Sequence, residues 1–359
     1  MPRYRSDTPA ARLRDAPARA RRRTRLAIGA AVGAYLLVCL AALAGVVVTA
    51  PGSGSSRTGD AQSSVPRRAG VVPVDERAVP DGLVWDTTHT QRRLPAGWAT
   101  VRPLLTATVE QARDEGYELA VCVLAIDVAD ERTVCAGDDE PRYAASVIKV
   151  AYAVGALEAW GGDPEAETPY GRLGDLLEDA ITVSDNEAAN LLYDLSVAGP
   201  TAPATDDPVS ALNSIAERVG LAEEFHTGGA FRYEWTGDWS RVSARGGVGY
   251  LNELVRAADG RATPGRRLTS PTVARQVLAL MLEQERNWKL PDKLRAGSAA
   301  NKTGETDTES HDIAVVNTAS GRYAIAVIAT ADGMYATPDH LMSDLGSDVV
   351  EALGGAVRF

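Results

Sequence analysis

Three short strings in this 359-residue chain carry side chains able to do covalent chemistry: Ser146-Val147-Ile148-Lys149, Ser184-Asp185-Asn186 and Lys302-Thr303-Gly304. In that order they supply a hydroxyl nucleophile with an amine one helical turn away, a second hydroxyl with an amide, and a cationic strand edge. Those are the parts of an acyl-transfer site. Lysine usage points the same way. Lys occurs only at 149, 289, 293 and 302, and every other basic residue among the 37 is Arg. A guanidinium stays protonated, whereas an ammonium loses its proton when desolvated, so a position that must shuttle protons resists replacement by Arg. Two of the four lysines fall inside the strings.

Each string also has an ordinary reading. Ser146 to Lys149 could simply begin a helix. Ser184-Asp185-Asn186-Glu187 is a capping box, with a hydroxyl cap and a Glu three residues on, opening a helix over Glu187 to Leu195. Lys302-Thr303-Gly304 could end a strand. Their co-occurrence in this order makes Ser146 the candidate nucleophile, Lys149 the base that takes its proton, and Ser184 a relay toward the leaving group.

The elements that must position these groups follow from periodicity. Val101 to Glu115 has helical spacing, with Thr100 as its cap and Pro103 tolerated in the first turn. Strands are expected at Leu119 to Val128 and Thr133 to Ala136. Ser146 to Trp160 is almost continuously apolar, which implies a helix buried on nearly all sides, with Ser146 at the end where free amides and the dipole favour negative charge. Helices are expected at Leu173 to Val183, Glu187 to Leu195, Val209 to Val219, Gly247 to Ala257 and Thr272 to Glu283. The period then changes to strands at Ala299 to Thr303, Ile313 to Val316 and Tyr323 to Ala329, closed by a helix from Asp339 to Leu353. Strands at both ends with helices between predict an α+β fold: an antiparallel sheet flanked by helices and formed by both ends of the domain, with an all-helical lobe inserted. The cleft belongs where Ser146, Ser184 and Lys302 meet.

The net charge of −11 is uneven. Residues 1–25 hold nine Arg and two Asp, a net of +7, so everything after carries −18. An acidic main domain repels a phosphate backbone, which argues against nucleic-acid partners. Residues 26–50 contain no charged residue and are long enough to cross a bilayer as a helix. The preceding Arg cluster keeps the N-terminus cytoplasmic and sends the bulk of the chain outside. A cleaved signal ending at Val48-Thr49-Ala50 is the alternative. Residues 51–97, rich in Gly, Ser, Pro and Arg, are expected to be a flexible linker. The expected organisation is thus a basic cytoplasmic tail (1–25), a transmembrane anchor (26–50), this linker, and a catalytic domain (98–359).

Cys122 and Cys135 lie in the two early strand segments, so a tight hairpin would set them side by side. In an oxidising exterior they could form a disulfide closing a loop of about 14 residues, worth about 3 kcal/mol in the entropic account. Two buried thiols are the alternative. His89, His226, His311 and His340 are scattered without paired spacing, so neither a metal nor another cofactor is expected.

The three strings resemble those of the penicillin-recognising serine enzymes, most closely the class A serine beta-lactamases, over roughly Trp98 to Phe359. His311-Asp312-Ile313-Ala314-Val315 and Ala188 to Leu192 match that family as well. The resemblance implies that Asn186 hydrogen-bonds Lys149 and the substrate amide, that Lys302 raises the local potential, and that Thr303 binds a substrate carboxylate. It also implies an oxyanion hole built from the backbone N–H groups of Ser146 and Glu305. Arg232-Tyr233-Glu234 resembles the loop that carries the water-activating Glu of this family, making Glu234 the candidate for deacylation. Gly237-Asp238 depart from the Leu-Asn expected there, and Glu305 stands where a small residue is usual. Glu305, Asp307 and Glu309 together are expected to add negative charge at the strand edge.

The leading expectation is a monomeric, membrane-anchored serine hydrolase acting outside the cell on beta-lactams. A D,D-peptidase or esterase acting on cell-wall peptides, with slow lactam turnover, is the second reading. A catalytically idle cell-wall or antibiotic-sensing module is the third.

Overall fold

The computed structural model describes residues 93–128, 132–232, 238–262, 265–333 and 335–359. The expected basic tail, anchor and nearly all of the linker lie outside these residues, and so does Glu234. Among the described residues no helix is long and apolar enough to cross a membrane.

In chain order the elements are α1 (Trp98–Asp114), β1 (Leu119–Ala125), β2 (Arg132–Ala136), β3 (Arg142–Tyr143), a 3-10 turn (Ala145–Ile148) running into α2 (Lys149–Ala159), β4 (Glu167–Thr168) and β5 (Gly171–Arg172). Then come α3 (Leu173–Glu178) continued by a π-helical turn (Asp179–Val183), α4 (Asn186–Leu195), α5 (Pro208–Glu217), β6 (Phe225–His226), β7 (Arg241–Val242), α6 (Ala244–Ala258) and α7 (Pro271–Leu282). The chain closes with β8 (Ala299–Glu305), β9 (Glu309–Thr318), β10 (Gly321–Thr330) and α8 (Asp339–Ala352).

Five strands form one antiparallel sheet in the order β2-β1-β10-β9-β8. The first strands therefore pair with the last, as the alternation of strand and helix segments along the chain implies. All seven residues of β1 are buried, because each face of the sheet meets a different apolar layer. Leu119, Val121, Val123 and Ala125 join α1 and α8 in one layer, while Ala120, Cys122 and Leu124 face α6 and the helical lobe in the other. This is the period-2 alternation of a strand covered on both sides. The apolar continuity of α2 likewise reflects its central position. Of its 11 residues only Glu158 is not buried.

Two expected caps differ. Gly97, not Thr100, caps α1, and the Thr100 hydroxyl instead bonds the Gly97 carbonyl. Ser184 does not cap α4. Asp185 does, its carboxylate accepting from the Ala188 N–H at 2.7 Å. Asp and Ser are comparable caps, and the neighbouring Ser184 is turned into a left-handed conformation that no N-cap adopts. The short strands β3 to β7 carry too few residues to show a period in the sequence.

Candidate active site

Ser146 sits, half-buried, in the 3-10 turn that leads into α2. The residue before it, Ala145, has φ of 44°. Among the described residues only Ala145 and Ser184 (φ 66°) are non-glycine residues in left-handed conformations, and both belong to the candidate site. Such geometry costs about 1–3 kcal/mol per residue and persists only where the surroundings impose it. Here the Ala144 N–H donates to the Ser240 carbonyl at 2.8 Å, and His311 Nε2 lies 2.8 Å from the Tyr143 carbonyl. His311 Nδ1 accepts from the Ala329 N–H at 3.2 Å, so Nε2 carries the hydrogen that holds Tyr143. Burial lowers this imidazole to about 4, which keeps it in that neutral form. From the other side β8 presses against the turn at Gly304, where a Cβ would come within 3.1 Å of the Ala144 carbonyl oxygen and 3.2 Å of the Ala145 Cβ.

Ser184 closes the π-helical turn, and its hydroxyl lies between two fully buried amines. Lys302 Nζ is 2.9 Å from Ser184 Oγ and Lys149 Nζ is 3.3 Å from it. Lys149 also reaches the Ser184 carbonyl (2.6 Å), the Asp185 carbonyl (3.1 Å) and Asn186 Oδ1 (2.7 Å), while Lys302 donates to the Thr303 carbonyl at 2.9 Å. No hydrogen bond joins the Ser146 hydroxyl to Lys149. The amine is drawn instead to three acceptors on the Ser-Asp-Asn loop that cannot donate in return, and Ser184 Oγ is the one contact able both to give and to accept a proton.

Desolvation lowers the Lys149 pKa to about 7, opposed by the Asp185 carboxylate and assisted by the Arg286 charge. Lys302 is pushed well below the usual lysine range, first by burial and then by the positive charges of Lys149 and Arg286. Two buried amines one hydroxyl apart cannot both stay charged without large cost.

The carbonyls left open at the end of the π-helical turn are met by a strap that follows α7. Gln284 Nε2 donates to the Ile181 carbonyl (2.8 Å), and the Glu285 N–H donates to the Thr182 carbonyl (3.1 Å). The same Gln284 accepts from the Arg286 N–H at 3.1 Å. Arg286 then pairs with Glu305 at the end of β8, with its guanidinium 4.7 Å over the Trp288 ring. Lys289, fully buried, lies 3.1 Å from Glu305 Oε1. Of the negative charge expected at this edge, that of Glu305 is thus met by two cations. Burial pushes the Glu305 carboxyl up, but the Lys289 and Arg286 charges outweigh it and leave it below the ordinary glutamate value. Neither cation was singled out from sequence. The scarcity of lysine was the available signal for Lys289, and nothing marked Arg286.

On the opposite side the Phe231 ring lies 4.9 Å from Lys149 Nζ, and Asn190 fixes the Phe231 backbone through its amide, accepting at 2.7 Å and donating at 3.3 Å. Glu234, three residues on, lies outside the described residues. Cys122 and Cys135 face each other across β1 and β2 and are joined as a disulfide. With Asp139 they form the one group of potential metal ligands found among the described residues, but bonded sulfurs are not available as thiolate ligands.

The sequence model of the beta-lactamase enzyme family matches residues 160–353, more than half of the chain. That stretch contains Ser184, Asn186, Lys302 and Thr303 and begins after Ser146 and Lys149. Among solved structures, the beta-lactamase of Sphaerobacter thermophilus DSM 20745 superposes with a TM-score of 0.55 at 17% identity, covering 73% of this chain and 98% of that one. The reconstructed class A beta-lactamase of the last common ancestor of Gram-negative bacteria gives 0.54 at 21% identity over 70% and 99%. The protein L2, solved with relebactam, gives 0.52 at 18% over 71% and 100%. At these identities the likeness is one of fold. No curated protein sequence matches the chain.

Proposed function

Because the chain belongs to the beta-lactamase enzyme family, we propose that it hydrolyses beta-lactams through an acyl-enzyme at Ser146. The observation that carries this reading is the Ser184 hydroxyl held between the amines of Lys149 and Lys302, beside the turn that presents Ser146. An amine lowered to about 7 is partly neutral at physiological pH and can accept a proton, which an ordinary lysine cannot.

In the reaction Ser146 Oγ attacks the lactam carbonyl carbon and its proton passes to Lys149. The new Oγ–C bond forms, the ring C–N bond breaks, and Ser184 delivers a proton to the departing nitrogen while Lys149 reprotonates Ser184. The backbone N–H groups of Ser146 and Glu305 hold the oxyanion, each such donor being worth about 10² to 10³ in rate. Thr303 and Lys302 receive a substrate carboxylate, and Asn186 its amide. Water then cleaves the Ser146 ester and restores the hydroxyl, with Glu234 as the group that activates it. The apolar segment 26–50 anchors the enzyme, with the catalytic domain outside the membrane.

The test uses the full chain with a chromogenic lactam and a fluorescent penicillin. Sustained turnover supports the proposal. A stable label on Ser146 without turnover would instead identify a peptidase or esterase, and neither signal a binding module. Glu234→Ala should trap the labelled state, and unchanged turnover would remove Glu234 from the mechanism.

A further inference from the structure

Glu305 is the residue of the strand edge that the acyl-transfer scheme uses only through its backbone, and its side chain is placed with more constraint than that role needs. It follows Thr303 and Gly304 on β8, at the edge to which the proposed mechanism brings a substrate carboxylate. Its carboxylate is held by two cations of different kind. Lys289 is fully buried and is further bound to the Gly304 carbonyl (3.3 Å) and the His311 carbonyl (3.2 Å); its next carboxylate, Asp339, is 3.8 Å away. A buried ammonium that loses its counter-ion is left with a large desolvation cost, so Glu305 cannot swing out freely. The Lys289 contact lacks the alignment of a hydrogen bond and is an ionic attraction.

Arg286 is the second cation, with one third of its side chain exposed, its guanidinium against Trp288 and its backbone held by Gln284. It is near enough to the reacting groups for its charge to act on both Lys149 and Lys302. A bare guanidinium in that place would be a strong seat for a carboxylate, since its fork donates two parallel hydrogen bonds. Glu305 Oε2 already takes one nitrogen of that fork, and its charge offsets the guanidinium's.

We infer that Glu305 is a specificity-determining residue: pinned from beneath by Lys289, its carboxylate occupies Arg286 and weakens the site's preference for anionic acyl donors, so that donors neutral at this end, such as esters, are accepted alongside carboxylate-bearing ones. This rests on Ser146 forming the acyl-enzyme. Charge at the rim changes capture of the donor, so the effect belongs in the second-order rate of acylation.

The experiment measures that rate by intact mass for a penicillin and for its neutral methyl ester, at one low ionic strength, in the wild-type chain, Glu305→Gln and Glu305→Gln/Arg286→Gln. The ratio of acid to ester should rise about tenfold in Glu305→Gln, from one unscreened charge at the rim, and return to near the wild-type value in the double variant. Glu305→Gln leaves Lys289 only the more distant Asp339 as a counter-ion, so each variant is melted. Where the single change unfolds the chain, Glu305→Gln/Lys289→Met removes the under-compensated charge and should show the same raised ratio. A ratio that stays within about twofold of wild type, or that remains raised after Arg286→Gln, overturns the inference. Adducts with an unmoved ratio refute this inference alone, whereas the absence of any adduct in the wild-type chain refutes the acyl-enzyme reading and this one with it.

Discussion

Asp185→Asn should make acylation faster at low pH. Asp185 caps α4 through its side chain, and Asn offers an amide oxygen to the same Ala188 N–H, so the substitution removes a charge while keeping the cap. That charge is what resists the lowering of Lys149, whose pKa burial brings to about 7. If acylation needs the neutral amine, the wild-type rate follows the neutral fraction, about one tenth at pH 6 and about nine tenths at pH 8. Loss of a nearby, partly solvated carboxylate lowers the amine by on the order of half a unit to one unit. The neutral fraction at pH 6 then becomes about a quarter to a half, and acylation there rises roughly 2.5- to 5-fold with almost no change at pH 8. The assay is the rate of labelling of Ser146 by a fluorescent penicillin between pH 5 and 9 at low and high salt. Because Asp185 is exposed, added salt should shrink the difference. An acid limb that stays in place, or moves to higher pH, would show that the ionisation of Lys149 does not govern acylation.

The stability of the fold carries the same titration with a fixed sign. Folded Lys149 binds fewer protons than the unfolded chain between about 7 and 10.5, so its contribution makes stability rise with pH across that window, as a melting series would read. Gly304→Ala should slow acylation at least about tenfold, because the added methyl must displace the Ala144–Ala145 turn by a few tenths of an ångström; the check is the labelling rate beside an unchanged far-UV spectrum. Arg322→Met should cost about 3–5 kcal/mol and lower the melting temperature by roughly 10 °C, since it strips a buried guanidinium from Asp127 and Asp259. Reduction of Cys122–Cys135 should lower stability by about 3 kcal/mol in a denaturant titration.

Much of this arrangement is legible in the residues because it depends on spacing. The continuous apolar runs at 119–125 and 323–329 can be buried only in strands covered on both faces, and the continuous apolar run of α2 demands a central place. The three strings likewise announce their elements. What could not be read depends on contacts between distant segments. Ser184 looks like a helix cap because a hydroxyl followed three residues later by Glu is one elsewhere. Here the preceding π-helical turn forces it into a left-handed conformation, and the cap passes to Asp185. Glu305 looks like surplus negative charge because its counter-ions, Arg286 and Lys289, lie 19 and 16 residues earlier, in a strap with no period. That Ser146 and Lys149 share a helical face is visible in the spacing. That Lys149 turns to the loop of Ser184 and Asn186 depends on where a separate segment lands.

The strap after α7 has a mechanical corollary. One glutamine side chain, Gln284, grips the Ile181 carbonyl with its nitrogen and the Arg286 amide with its oxygen, so the turn that ends at Ser184 and the Arg286 guanidinium hang from a common bracket. Loosening that bracket would disturb turnover and substrate choice in step, so variants selected for a new substrate through this segment should forfeit speed as they broaden.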